Sequence, residues 1–189
     1  MRQGDKVAIV TGASTGIGQA SAKTLHQAGF RVFGTTRRSS LDVGDGITMI
    51  TCDVTDDASV KQAVDKVLEI AGRIDVLVYN AGIGLLGGAE ESSINQAQAL
   101  FDVNLFGVMR ATNAVLPAMR DQKAGRIINI SSVLGLIPAP YLGPLLVYEA
   151  RPRRIFGVPR SRGAELRHSS LLARAGVHSR FLRTEHGVS

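Results

Sequence analysis

Short apolar runs alternate with longer amphipathic stretches along the first three quarters of the chain. Lys6–Thr11 reads Lys-Val-Ala-Ile-Val-Thr and stops at a glycine turn. A run that short, without polar alternation, is the pattern of a parallel strand buried on both faces. Gly16–Ala28 shows helical spacing and meets Gly29, a residue suited to ending a helix. Arg31–Thr36 and Ile47–Cys52 predict a second and a third strand. Thr55-Asp56-Asp57 predicts a helix N-cap followed by acidic residues, which suit the positive end of a helix dipole. That helix runs to about Ala71, with Val60, Val64, Val67 and Leu68 on its apolar face. Ile74–Tyr79 predicts a fourth strand, Asn95–Arg120 a long helix, and Arg126–Ser131 a fifth strand. Strands alternating with helices imply a doubly wound parallel sheet of the α/β class, with helices on both faces and right-handed crossovers.

Composition adds limits to this pattern. The 189 residues are enough for one domain with a sizeable core, and 44% of them are hydrophobic. No apolar run approaches the roughly 18–20 residues that span a bilayer, so no membrane partner is expected. The first residues, Met1–Lys6, lead straight into the first strand without the pattern of a signal peptide. Cys52 has no second cysteine to pair with, which fits a buried thiol in a reducing cytoplasm. The net charge of +6 divides unevenly. Residues 1–144 hold 13 Lys and Arg against 13 Asp and Glu, whereas residues 145–189 hold nine Arg, no Lys and three Glu. The chain therefore splits into residues 1–143, which carry the strand–helix alternation, and an Arg-rich tail at 144–189.

The first strand and first helix are joined by Thr11-Gly12-Ala13-Ser14-Thr15-Gly16-Ile17-Gly18. Glycines here allow a tight turn and a close approach of backbone to pyrophosphate, and the free N–H groups of the helix start can hold phosphates. Four further motifs follow in order: Asp53-Val54 after the third strand, Asn80-Ala81-Gly82 after the fourth, Asn104 in Phe-Asp-Val-Asn-Leu-Phe-Gly, and Ser131-Ser132 at the end of the fifth. Together they resemble the classical short-chain dehydrogenase/reductase family over residues 6–143. The resemblance implies a Rossmann-type sheet, here truncated after the fifth strand, and an NAD(P) cofactor. It implies that Thr11, Gly12, Ser14, Thr15, Gly16, Ile17 and Gly18 hold the phosphates, that Asp53 and Val54 contact the adenine, and that Asn80, Ala81 and Gly82 complete the site. It also implies catalytic roles for Ser132, through the substrate oxygen, and for Asn104, through an active-site water.

The end of the second strand bears on cofactor choice. NAD enzymes usually place an acidic residue there for the ribose 2′-hydroxyl. This chain has Arg37-Arg38, and an arginine fork suits a 2′-phosphate, so NADP(H) is favoured over NAD(H). Asp102, Arg110, His26 and Glu90-Glu91 read as surface groups, Asp102 and Arg110 as surface or interface ones. No metal site is expected, because His168, His178 and His186 lack metal-ligand spacing.

The family pattern breaks after residue 143. Counted from Ser132, the family's tyrosine falls at position 145 and its lysine at 149, where this sequence has Leu145 and Glu149. Neither Tyr141 nor Tyr148 has a lysine four residues on, and no lysine follows Lys123. Pro152 and Pro159 would interrupt the helix the family has here. A one-base insertion near the codon for Pro144 accounts for all of this. With allowed codons, the shifted frame from Pro144 reads RYSSTKHALEGYSESLDHEVRNYGIRV, which puts a tyrosine at position 145 and a lysine at 149. Arg174–His178 then reads Glu-Pro-Ala-Tyr-Thr, which resembles the family's segment after the sixth strand. The fifth strand would be left with an open edge.

The expected function is hydride transfer between NADP(H) and a carbonyl or secondary alcohol, with this chain impaired by the missing Tyr and Lys. A non-catalytic dinucleotide-binding module is the alternative. A nucleic-acid-binding tail is a third reading, favoured by its arginines, but the tail lacks interleaved aromatics and any known motif. Family members commonly form dimers or tetramers through the long helix and the one after it. The second of these would fall in the altered tail, which weighs against oligomerisation here.

Overall fold

A computed structural model describes residues 6–38, 46–86 and 90–131, together with the backbone pairing of 165–172 and 181–183. Strands β1 (Val7–Val10), β2 (Arg31–Thr36), β3 (Thr48–Thr51) and β4 (Val76–Tyr79) form one parallel sheet with β6 (Ala124–Ser131) and β7 (Glu165–Leu172), in the order β3-β2-β1-β4-β6-β7. A separate short pair joins β5 (Gly84–Leu86) to β8 (Phe181–Arg183). Helices α1 (Gly16–Gln27), α2 (Asp57–Ala71), α3 (Ile94–Phe101) and α4 (Gly107–Asp121) connect them, with a π turn at Asp102–Phe106 between α3 and α4.

The strands are apolar on both sides because both sides are covered. Val7 and Ile9 of β1 face α2 and α4, in a core with Phe33, Val64, Val67, Leu77, Val115, Met119 and Ile127. Ala8 and Val10 face the other way, toward Ala22 and Leu25 of α1 with Val32, Val76 and Val78. The doubly wound arrangement expected from the alternation is thus present, with strand bounds within a residue or two.

Helix ends follow local chemistry. Asp56, rather than Thr55, is the N-cap of α2, and its Oδ1 accepts the Ala58 N–H at 2.9 Å. Gly72 closes that helix at φ 70°, a left-handed conformation that glycine adopts without a Cβ clash. Ser93 and Gln96 form a reciprocal capping box at the start of α3.

Two features depart from expectation. The predicted single helix over 95–120 is interrupted by the π turn. The edge of the fifth predicted strand is not open: Glu165–Leu172 runs parallel to it over its whole length, Ala124 opposite Glu165 and Ser131 opposite Leu172. Parallel pairing draws on backbone N–H and C=O groups alone, and 165–172 contains no proline to remove one.

Candidate active site

The glycine loop leaves the C-terminal end of β1, the end at which open α/β sheets bind their ligands. Its shape is fixed from β4. The Thr11 hydroxyl accepts the N–H groups of Asn80 at 2.9 Å and Ala81 at 3.0 Å. The Asn80 side chain returns two bonds, donating from Nδ2 to the carbonyls of Thr11 at 3.1 Å and Gly12 at 3.2 Å. Ala13 N–H reaches the Thr35 carbonyl at 2.9 Å, which ties the same loop to β2. Gly12 and Gly16 have φ of 65° and 60°, and a Cβ at Gly18 would collide with the Gly12 carbonyl and Asn80 Nδ2. Both close approaches and left-handed backbone therefore demand glycine here.

These residues fit a dinucleotide. Thr15, the N-cap of α1, makes no side-chain capping bond, and the first turn carries no acidic residue. The N-terminal N–H groups of α1 and the positive end of its dipole therefore face no carboxylate of their own helix. Ser14 and Ile17 are half-buried, Thr15 and Gly16 exposed, and Gly18 buried.

Asp53 and Val54 lie just past β3, on the same end of the sheet. Asp53 Oδ1 accepts the backbone N–H and the hydroxyl of Thr55, at 2.9 and 2.8 Å. The backbone bond from Thr55 is the main cause holding its carboxyl below the usual carboxylate range, with help from Arg37 and Arg110. Arg37 and Arg38 are exposed beyond β2, where the Arg38 N–H donates to the Thr36 hydroxyl at 3.2 Å.

Asn104 is buried in the π turn. Its Oδ1 accepts the Ile83 N–H at 2.9 Å and its Nδ2 donates to the Ile83 carbonyl at 2.8 Å, so the turn is docked beside Asn80-Ala81-Gly82. Ser131 ends β6; Ser132, Leu145 and Glu149 lie outside the described residues. The residues expected to meet phosphate and adenine are thus brought to one end of the sheet with Asn104, while Ser132, expected to meet the substrate, lies outside the described residues.

Three residues near Asn104 escaped sequence reasoning. Arg110 is not a simple surface group: only 22% of its side chain is exposed, and it pairs with Asp57 at 2.6 Å and Asp102 at 2.8 Å. Burial alone would lower its pKa, but the bonds to Asp102 and Asp57 raise it above the usual value. Tyr79 donates its hydroxyl to the Val103 carbonyl at 2.6 Å, and Gly107 packs where a Cβ would strike that hydroxyl. No periodicity marks these contacts, because Tyr79 and Gly107 lie far apart in sequence and meet only in the fold.

On the outer side of the Arg110–Asp57 pair, a groove of about 660 Å³ lies between α2 and α4, lined in part by Asp57, Val64, Leu68, Phe106, Met109 and Arg110. No helix among the described residues is long and apolar enough to cross a membrane.

Comparison with known proteins agrees with this geometry. The family described as short chain dehydrogenase matches residues 6–145. A 3-ketodihydrosphingosine reductase of Bacteroides thetaiotaomicron is 41% identical over 138 residues, covering 73% of this chain and 51% of that protein. Among solved structures, an alcohol dehydrogenase of Thermococcus sibiricus complexed with 5-hydroxy-NADP has a TM-score of 0.78 at 29% identity, covering 89% of this chain and 75% of that one. An actinorhodin polyketide ketoreductase with NADPH has a TM-score of 0.71 at 32% identity, covering 79% and 61%. The chain spans about half the length of the curated relatives it matches. With the family's match running through the glycine loop, the Asp53-Val54 loop, the Asn-Ala-Gly turn and the Asn104 turn, the chain belongs to the short-chain dehydrogenase family.

Proposed function

We propose that this chain is the cofactor-binding part of a cytoplasmic NADP(H)-dependent oxidoreductase acting on a small-molecule carbonyl or secondary alcohol. The observation that carries the reading is the Thr11–Gly18 loop, locked open by Asn80 and Thr11, with Arg37-Arg38 exposed on the neighbouring strand end. The arginines supply a charged fork for a 2′-phosphate. The nicotinamide supplies or accepts the hydride when bound. Ser132 hydrogen-bonds the substrate oxygen, and Asn104 supports the water that relays a proton. The relative named for 3-ketodihydrosphingosine makes that ketone the first substrate to try.

The general acid is missing from this chain, because Leu145 and Glu149 stand where the family has tyrosine and lysine. Loss of a general acid costs about 10²–10⁴-fold in rate. The reading is therefore a chain that binds NADPH and turns over little, its tail translated out of frame from about Pro144. A fluorescence titration comparing NADPH with NADH tests the binding, and the nucleotide sequence across codons 140–150 tests the frame. Saturable binding of NADPH, tighter than NADH, together with an extra base is the expected result. Absence of saturable binding would overturn the first part, and a confirmed frame without an extra base the second.

A non-catalytic dinucleotide-binding module is the second reading, favoured by the intact glycine loop beside the missing catalytic pair. It differs in expecting the confirmed frame. The exposed Phe106, at the end of the π turn, and Met109, on α4, support self-association along that face.

A further inference from the structure

The helix that carries Asn104 contains a one-residue insertion, and two side chains hold it in place. Gly107 N–H donates to the Asp102 carbonyl, five residues back. In a regular α-helix it would take the Val103 carbonyl, four residues back. Here the Tyr79 hydroxyl donates to Val103 instead, at 2.6 Å. Arg110 Nη1 reaches the same Asp102 carbonyl at 3.2 Å, the Asp102 carboxylate at 2.8 Å and the Val54 carbonyl at 3.3 Å. Its Nε pairs with Asp57 at the start of α2. One guanidinium thus joins the adenine-side loop, the head of α2 and the π turn. Gly107 makes room for this arrangement, since a Cβ there would strike the Tyr79 hydroxyl and stand 3.2 Å from the Val54 carbonyl.

The alternative state is an α-helix running unbroken from Ile94 to Asp121. Each residue of an α-helix turns about 100°, so removing the insertion re-phases everything on one side of it by about that angle. Asn104 would swing away from Ile83 and lose both of its bonds to that residue. Single-turn π insertions inside α-helices are frequent at functional sites.

We propose that Tyr79 and Arg110 are positioning residues: by satisfying Val103 and Asp102 they hold the turn in its π form and keep Asn104 facing Ile83. The proposal rests on the reading above for what Asn104 does, but not for where it sits. Tyr79 acts from the strand that carries the Asn80-Ala81-Gly82 turn, and Arg110 from the adenine side. Occupancy of the adenine site therefore bears on the same turn that presents Asn104.

The test is amide hydrogen exchange by NMR on the full chain, with Tyr79→Phe and Arg110→Gln beside the parent. The readouts are the Ile83 backbone N–H and the Asn104 side-chain amide, with the Leu77 N–H of β4 as a control for general stability. Each variant should speed exchange at Ile83 by about tenfold, as expected for loss of one buried hydrogen bond, and shift the Asn104 amide signals, with less than a twofold change at Leu77. Gly107→Ala should reproduce the Tyr79→Phe pattern, because its methyl would displace the same hydroxyl. Unchanged exchange at Ile83, or an equal rise at Ile83 and Leu77, would overturn the proposal. NADPH binding measured on the same samples is a separate readout: its absence in the parent chain counts against the proposed function, while the exchange pattern still decides the roles of Tyr79 and Arg110.

Discussion

Residues 6–131 and the tail from 144 onward differ in kind. The front region balances its charges, repeats the strand–helix period and ties its loops together with named hydrogen bonds, such as the four between Thr11, Gly12, Asn80 and Ala81. The tail carries the whole positive excess in arginines and lacks the tyrosine and lysine that the family places there. The contrast teaches that the residues expected to hold the dinucleotide lie in the front region, together with Asn104, while the family's tyrosine and lysine positions fall in the stretch whose composition changes.

The comparison breaks most sharply if the tail is put back in frame. Deleting one base at codon 144 should place tyrosine at position 145 and lysine at 149, and raise carbonyl reduction by about 10²–10⁴-fold, measured as NADPH oxidation at saturating substrate. No gain in rate would show that the two halves differ for another reason. Next in size is the front half's own failure. Gly18→Ala drives a methyl into the Gly12 carbonyl and Asn80 Nδ2. Overpacking of this kind costs about 1–3 kcal/mol, and NADPH affinity should fall by more than tenfold in a fluorescence titration.

A smaller effect sharpens the cofactor assignment. Arg37→Ala with Arg38→Ala should weaken NADPH by about tenfold, equivalent to about 1.4 kcal/mol, and leave NADH within twofold. Equal losses for both cofactors would move the arginines out of the 2′-phosphate site. The smallest effect concerns pH. Burial alone would raise the Asp75 carboxyl, but the Arg73 fork, at 2.9 and 2.6 Å, and the Val7 N–H, at 2.8 Å, together hold it below its ordinary value. A carboxyl depressed in the folded state stabilises above its unfolded pKa, and that stability is lost as pH falls through the folded value. Asp75→Asn should therefore lower the melting temperature at neutral pH and have a vanishing effect in strong acid, checked by thermal melts across the acid range.

Much of the front half was legible because its signals are local. Five apolar runs became parallel strands, and the Gly12, Gly16 and Gly18 spacing marked a backbone that no other residue fits. The π turn was not legible. Asp-Val-Asn-Leu-Phe holds no breaker, and the insertion depends on a hydroxyl from Tyr79 and a guanidinium from Arg110 that meet it only in the folded chain. Arg110 read only as a surface or interface group because its partners Val54 and Asp57 lie more than fifty positions away in sequence. The strand at 165–172 was invisible for another reason: its pairing uses backbone groups, and its side chains carry no strand period.

Under the proposed function the chain holds NADP(H) but lacks its proton donor. Titrating the purified chain with NADPH and then adding 3-ketodihydrosphingosine and a panel of simple ketones tests it most directly. Saturable NADPH binding, tighter than NADH, with reduction at less than about one hundredth of the frame-restored rate is the expected result. Reduction at the frame-restored rate, or no saturable binding, would contradict it.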